Sequence, residues 1–146
     1  MLMHMKYIVL FYMIVTVFMI SSCTYGPRMY EYYSEKDNYV CATGTVTGIR
    51  YNESRDALYI EFDNLDPQFS DHNFKIEGDN LSIVKSNGID DKLKLGEEVE
   101  FFSATRYFGD GYVMPIVGIT VDGEVLLEFD EGYENLLKVL KDEGYN

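Results

Sequence analysis

The stretch YVCATGTVTGIRY at residues 39–51 decides the fold, because it has the composition and the alternation of a long β-strand. Thr43, Thr45 and Thr47 fall on one face, since successive side chains of a strand point to opposite faces. The small and apolar residues between them fall on the other face. Glycines inside a strand mark a bend or a close approach of the backbone. The stretch therefore predicts a first strand that curls through a small barrel.

Five more strands are predicted after this one. Short runs of alternating apolar and polar residues indicate strands with one buried face. The pair Asp122-Gly123 is a strong signal for a two-residue hairpin turn between the last two strands. The predicted strands span residues 39–51, 57–62, 73–77, 98–104, 112–121 and 124–129.

Two helices are predicted among and after these strands. Asp79 or Asn80 can cap a short helix that ends at Gly88, which matches a left-handed helix stop. Asp130 can cap a longer helix that closes the chain. Its apolar residues recur at helical spacing and predict one face packed on the core. These residues are Tyr133, Leu136, Leu137 and Leu140.

The order of these elements resembles the OB-fold, in which a helix lies between the third and fourth strands. Leu93, Gly96 and Val99 lead from the short helix into the fourth strand in a way that is similar to that family. The resemblance implies a mainly β or α+β fold, a small OB-like barrel of five to six strands with a C-terminal amphipathic helix. The added sixth strand and terminal helix depart from the family and leave an SH3-like barrel or another α+β roll open.

The N-terminus resembles a bacterial lipoprotein signal that ends in the lipobox Ile20-Ser21-Ser22-Cys23. Lys6 precedes an uncharged apolar run, 7–20, which is shorter than the roughly 18 to 20 residues of a spanning helix. The resemblance implies that Cys23 carries the lipid, such as palmitate, and becomes the first residue of the mature chain. The alternative is an uncleaved signal anchor with Cys23 merely adjacent.

These boundaries divide the chain into a signal peptide at residues 1–22, a tether at 23–38 and a single β-rich domain at 39–146. Gly26 and Pro27 favour a flexible tether. Tyr30, Tyr32 and Tyr33 are too apolar for an inert spacer, so we expect part of this segment to pack on the domain. The expected location is the cell membrane, with the lipid-anchored domain facing outside the cytoplasm.

The charge of the mature chain narrows the classes of partner. Loss of residues 1–22 removes one of 12 basic residues and none of 25 acidic residues, which leaves a net charge of −14. A domain this acidic lacks the basic surface that neutralises phosphates, so nucleic-acid binding is not expected. A cationic protein partner or an envelope glycan fits the composition better. The high negative charge also increases the solubility of the domain.

Few residues are suited to catalysis. The mature chain has one histidine, His72, and one cysteine besides Cys23, Cys41, so it cannot assemble a His-rich metal centre, and no cofactor is expected. The alternation of the first strand predicts Cys41 to be a buried or half-buried strand residue. Without a flanking cation to lower its pKa, we do not expect a reactive thiol.

One loop is rich in carboxylates. Asp63, Asp66 and Asp71 lie within nine residues and are weak candidates for a calcium site, which needs six to eight oxygen ligands. The spacing of the known calcium loop is missing, so a solvated acidic loop is the favoured interpretation.

The best candidates for ligand contact surround a predicted hairpin tip, where aromatic rings offer stacking faces beside glycines. The alternative is that these rings close the end of the barrel. The candidates are Arg106, Tyr107, Phe108, Asp110 and Tyr112.

Two functions follow from these observations. The favoured one is a lipid-anchored, surface-exposed, non-catalytic binding or interaction module, a class that includes acidic inhibitors of basic partners. The alternative is a small envelope hydrolase or carbohydrate-active protein that uses acidic residues such as Asp63, Asp66 or Asp110.

Overall fold

Six strands and four helices form the part of the chain that the structure describes, residues 25–69, 73–106 and 113–145 of a computed structural model. A single 3₁₀ turn, Lys36–Asn38, precedes the first strand. In chain order the elements are α1 (Tyr25–Ser34), β1 (Tyr39–Asn52), β2 (Ala57–Asp63), β3 (Asn73–Glu77), α2 (Gly78–Ser86), α3 (Ile89–Lys92), β4 (Glu98–Ala104), β5 (Met114–Val121), β6 (Glu124–Leu127) and α4 (Phe129–Asp142). None of these helices is both long enough and apolar enough to cross a bilayer.

Five of the strands form a barrel-like ring. β1 pairs antiparallel with both β2 and β4, and these pair in turn with β3 and β5. The ring closes where β3 and β5 run parallel, with Phe74 opposite Met114 and Lys75 opposite Pro115. β6 extends the sheet beyond β5. The predicted α+β architecture is thus confirmed as a six-stranded sheet with a barrel-like ring, with α2 between the third and fourth strands and α4 at the end.

Phenylalanine side chains fill the interior of the ring, which we call the inner core. The rings of Phe62 and Phe101 stack with centres 4.5 Å apart, and Phe74 meets Phe101 edge-on at 4.9 Å. Leu58, Ile60 and Phe62 of β2 all point inward, as the alternation of that strand predicts. The inner core is therefore mainly apolar, and its buried hydroxyl group, that of Ser103, donates to the carbonyl oxygen of Pro115 at 2.6 Å.

β5 is buried on both faces, because the inner core lies on one side of it and α4 packs on the other. The register with β4 shifts where Phe102 pairs with Gly118 and Ser103 pairs with Ile116. Ile116 then belongs to the inner core, while Val117 points to the outside of the ring. The extra residue of a bulge re-aims the side chains that follow it, and here Ile119 and Val121 point back into the inner core.

That second layer lies between the outer face of the sheet and the helices α1 and α4. We call it the tyrosine cluster. Its buried residues are Tyr33, Tyr39, Ala104, Val117, Tyr133, Leu137 and Leu140. Gly132 lets α4 approach β5, since a Cβ there would lie 2.0 Å from the carbonyl oxygen of Val117.

Both predicted helix caps are wrong. α2 begins at Gly78 and α4 at Phe129, and the capping positions are Glu77 and Glu128, neither of which makes a side-chain capping hydrogen bond. Asn80 is buried instead, and its Nδ2 donates to the carbonyl oxygen of Gly132 at 2.9 Å. The polar side chain thus ties α2 to α4 and is not available to cap a helix.

β6 is the edge of the sheet, and α2 and the residues that follow it pack beside this strand. Asn87 Nδ2 donates to the carbonyl oxygen of Leu126 at 2.9 Å, which occupies an edge acceptor. Lys92 Nζ lies 2.6 Å from a carboxylate oxygen of Glu124 on the same strand. A side-chain amide and an ion pair therefore take the place of a neighbouring strand.

Residues 25–34, expected to be part of a tether, form the helix α1. A proline at the third helical position lacks only an N–H that would have no partner within the helix, so Pro27 is compatible with the first turn. Tyr33 is 4% exposed within the tyrosine cluster, and Met29, Tyr30 and Tyr32 pack around it. Packing against α4 and the sheet, a long-range effect, stabilises this short helix.

Candidate functional site

Of the five predicted ligand-contact residues, the structure describes one. Arg106 follows β4 and is exposed. Tyr107, Phe108, Asp110 and Tyr112 lie outside the described residues, as does the lipobox with Cys23. The geometry of the candidate site is therefore built from Arg106 and the elements around it.

α1 crosses the end of β4 and forms an open hollow with Arg106. The hydroxyl of Tyr32 lies 3.0 Å from Thr105 Oγ1, and the hydroxyl of Tyr33 donates to the carbonyl oxygen of Arg106 at 3.2 Å. The guanidinium carbon of Arg106 lies 5.8 Å from the centre of the Tyr32 ring. These contacts fix the backbone around Arg106 while its side chain stays accessible to solvent.

The hollow has a volume of about 520 Å³ and a balanced set of charges. Its walls offer two guanidinium groups, two carboxylates, one aromatic ring and one amide. Guanidinium groups donate paired hydrogen bonds, and an aromatic ring provides an apolar stacking face. Such a set can hold a small polar ligand, and the volume falls within the range of small-molecule sites. The lining residues are Arg28, Glu31, Tyr32, Glu35, Asn38 and Arg106.

The sequence-based reasoning missed the wall that α1 contributes. Glu31 and Tyr32 follow Arg28 by three and four residues, which places the three side chains on one face of α1. This spacing is visible in the sequence, but Gly26 and Pro27 are typical of a flexible tether. A test of helical period across residues 25–38 could have found the wall.

A groove on the other side of α1 lies between the ends of β3, β5 and α4, and has a volume of about 200 Å³. Met29, Val113 and Tyr145 are half-buried along it. Lys75 Nζ lies 2.6 Å from a carboxylate oxygen of Glu77 on its floor. α1 thus has a polar hollow on one side and a more apolar groove on the other.

Tyrosine hydroxyl groups hold α1 against the sheet. Tyr39 donates to the carbonyl oxygen of Tyr33 at 2.8 Å, and Tyr133 donates to the carbonyl oxygen of Ser34. Burial raises the pKa of both Tyr39 and Tyr133 above the ordinary value for tyrosine. Both hydroxyls therefore remain protonated donors throughout the physiological range.

The acidic candidates for calcium do not form a metal site in the described part of the chain. Asp63 ends β2, and an Oδ1 atom of Asp66 accepts a hydrogen bond from the backbone N–H of Gln68 at 2.9 Å. Asp71 lies outside the described residues. Among residues 25–69, 73–106 and 113–145, no three potential metal-ligating side chains lie close enough together to hold an ion.

Cys41 is exposed, contrary to the prediction of a buried or half-buried position. Cys41 and Thr43 are two residues apart on β1, so their side chains point to the same, outer face of the strand. Burial and the neighbouring Glu100 carboxylate raise the pKa of the thiol. The raised pKa agrees with the prediction that this thiol is not activated.

Comparisons with protein-family models, with curated proteins and with solved structures find no significant match to this chain.

Proposed function

We propose that the chain is a lipid-anchored, non-catalytic binding module, which Cys23 holds at the outer side of the cell membrane and whose hollow beside α1 binds an envelope glycan. The hollow carries this proposal. It combines an aromatic face at Tyr32 with the guanidinium groups of Arg28 and Arg106. Sugars stack on such rings and offer hydroxyl groups to such donors, so the lining suits a glycan.

The balance of charge in the hollow favours a neutral or zwitterionic ligand. Two arginines face two glutamates there, whereas the mature chain as a whole carries a net charge of −14. A strongly cationic ligand would find more negative surface elsewhere on the domain. An uncharged sugar hydroxyl can accept from the arginines and donate to the carboxylates at the same time.

Binding without turnover fits the supply of reactive groups in the chain. The mature sequence contains one histidine and one cysteine besides Cys23. The thiol of Cys41 lies on β1 and has a raised pKa, which makes it a weak nucleophile at neutral pH. The proposed role of the hollow is therefore recognition.

Titration with soluble glycan tests the hollow. Lipidated protein in detergent would be titrated with N-acetylglucosamine oligomers and with soluble cell-wall glycan fragments by calorimetry. We expect Arg106→Gln to weaken binding roughly tenfold, the usual effect of losing one charged hydrogen bond of about 1.5 kcal/mol. Lys94→Gln is the matched control, because Lys94 is exposed beyond the opposite end of β4.

Three outcomes would contradict the proposal. The hollow is not the site if wild-type protein binds neither class of glycan at millimolar concentration, or if Arg106→Gln and Lys94→Gln bind equally. Release of shorter sugars during the titration, detected by mass spectrometry, would show turnover. The anchor is tested separately by the mass of the N-terminal peptide, and an unmodified Cys23 within an intact chain would overturn it.

A further inference from the structure

We propose that the domain sits on the bilayer in one fixed orientation, with a headgroup-facing end built from the N-terminal half of α1, the C-terminal end of α4 and the start of β5. This inference rests on the proposed acylation of Cys23. The sequence predicts a domain on a flexible tether, whereas this inference predicts a domain that is docked to the membrane surface. Four observations on the described residues support it.

The first observation is the short covalent distance between the anchor and the folded domain. Cys23 precedes the first helical residue, Tyr25, by only two positions. Two residues span at most about 7 Å even when fully extended. A flexible tether of 15 residues would instead average about 20 Å between its ends. Acyl chains on Cys23 therefore bring the start of α1 to the level of the lipid headgroups.

The second observation is that α1 is fixed to the rest of the domain. Tyr39 and Tyr133 donate to the carbonyl oxygens of its last two residues, Tyr33 and Ser34. Tyr33 is 4% exposed and donates in turn to the backbone of Arg106. A helix held in this way cannot act as a hinge, so the position of the anchor determines the orientation of the sheet.

The third observation is the character of the side chains at this end. Met29, Val113 and Tyr145 are half-buried around the groove, and Tyr30 lies beside α4 with the ammonium group of Lys141 at 6.0 Å from its ring centre. Tyrosines whose hydroxyl group contacts water while the ring contacts apolar groups are favoured at the headgroup level of membranes. This end therefore presents side chains that suit a lipid–water boundary.

The fourth observation is the charge of the same surface. Arg28 and Lys141 are balanced at this end by Asp142 and Glu143, and the groove adds one further residue of each sign, Lys75 and Glu77. The mature chain has 11 basic residues against 25 acidic residues. An anionic bilayer repels the acidic remainder of the molecule much more than this nearly balanced end. Electrostatics and the anchor thus favour the same orientation.

Tryptophan fluorescence can test this orientation, because the natural chain has no tryptophan. Tyr145→Trp marks the proposed headgroup-facing end. Leu95→Trp marks the opposite end of β4, at a side chain that is 65% exposed and tolerant of substitution. Each lipidated variant would be placed in vesicles of equimolar phosphatidylcholine and phosphatidylglycerol, with and without phosphatidylcholine that carries a nitroxide quencher on its headgroup.

We expect several-fold stronger quenching at position 145 than at position 95, since the seven residues of β4 separate the two ends by about 20 Å. Tyr30→Trp gives a second probe of the near end in case Tyr145→Trp lowers the melting temperature. Insertion of roughly ten glycine and serine residues between positions 24 and 25, about 17 Å on average, should reduce quenching at 145 towards the value at 95.

Flotation of the vesicles separates failure of the orientation from failure of the anchor. Protein that floats with the vesicles but shows equal quenching at 95 and 145 would overturn the fixed orientation and leave the anchor intact. Full quenching at 145 after the glycine–serine insertion would show that the short connection does not set the orientation. Protein that does not float would overturn the anchor and this inference together.

Discussion

The inner core and the tyrosine cluster are two apolar layers on opposite faces of the same sheet, and they differ in one functional group. The inner core uses phenylalanine, and the Phe62 and Phe101 rings stack at an interplanar angle of 8°. The tyrosine cluster uses hydroxylated rings, and Tyr39 meets Tyr133 edge-on at 5.6 Å between ring centres. Both layers exclude water from apolar surface, but only in the second do the aromatic rings themselves donate hydrogen bonds.

The difference teaches how a short peripheral helix acquires a fixed position. The free energy gained by apolar burial is proportional to the buried area, and many arrangements of side chains can provide it. Apolar burial therefore closes the ring but does not determine the position of α1. The hydroxyl of Tyr39 can reach the carbonyl oxygen of Tyr33 in only one arrangement of α1. We therefore expect the inner core to provide most of the stability and the tyrosine cluster to determine where α1 lies.

The largest effect should come from the inner core. Phe101 is fully buried against three other phenylalanine rings, and Phe101→Ala removes these contacts and leaves a cavity. We expect the free energy of unfolding, from urea denaturation followed by circular dichroism, to fall by about 3–5 kcal/mol. Phe101→Leu is the control and should lower the free energy of unfolding by less than Phe101→Ala does. A loss below about 1 kcal/mol for Phe101→Ala would contradict the proposed division between the layers.

An intermediate effect should come from the tyrosine cluster. Tyr39→Phe keeps the ring but leaves the buried carbonyl oxygen of Tyr33 without its donor, which should cost about 1–2 kcal/mol of unfolding free energy. Hydrogen exchange should accelerate in α1 more than in β1. Tyr59→Phe, on the outer face of β2, is the matched control. Equal exchange rates for α1 in Tyr39→Phe and wild type would show that the hydroxyl does not hold the helix.

The same hydroxyl should make the protein sensitive to alkali. Burial raises the pKa of Tyr39 in the folded state, so the folded protein holds this proton more tightly than the unfolded chain does. The resulting stability is fully present below the unfolded pKa of about 10 and is lost as the pH rises above it. Between about pH 9 and 11, wild type should therefore lose unfolding free energy more steeply than Tyr39→Phe. Parallel curves would refute this assignment.

The smallest effect should come from the ion pair at the rim of the tyrosine cluster. Lys36 Nζ lies 2.8 Å from Asp130, and this hydrogen bond raises the lysine pKa, but both side chains are exposed, at 49% and 81%. Exposed pairs contribute little because water and salt screen them. We expect Lys36→Gln to leave the urea midpoint unchanged. A loss as large as that of Tyr39→Phe would mean that charge, and not the hydroxyl groups, positions α1.

Local signals in the sequence predicted most of the ring. Asp122 and Gly123 both adopt positive φ angles, of 52° and 76°, as the hairpin signal requires, and Gly88 ends α2 in the left-handed region at 83°. Ala42 and Val46 face the inner core as the alternation of β1 predicts. Turn chemistry and period-two alternation act over a few residues, and therefore they can be read without the fold.

One error concerns a strand face and another concerns distant partners. Alternation along β1 puts Cys41 on the same face as Thr43, but it does not reveal that this face is exposed to solvent at Cys41. α1 is stabilised by residues about 70 to 100 positions away, such as Arg106 and Tyr133, which no local pattern reveals. One wall of the candidate site belongs to this helix. The sequence therefore predicts Arg106 as a site residue but not the residues that α1 contributes.

The covered edge at β6 has a consequence for crowding. Lipid anchoring confines molecules to a plane, where neighbouring copies collide far more often than the same number would in free solution. An open strand edge is a template on which such neighbours can add strands and aggregate. Asn87 occupies the carbonyl group of Leu126, and Lys92 with Glu124 places charges beside it. We expect these two contacts to hinder such addition and so to keep copies separate if Cys23 carries the proposed lipid.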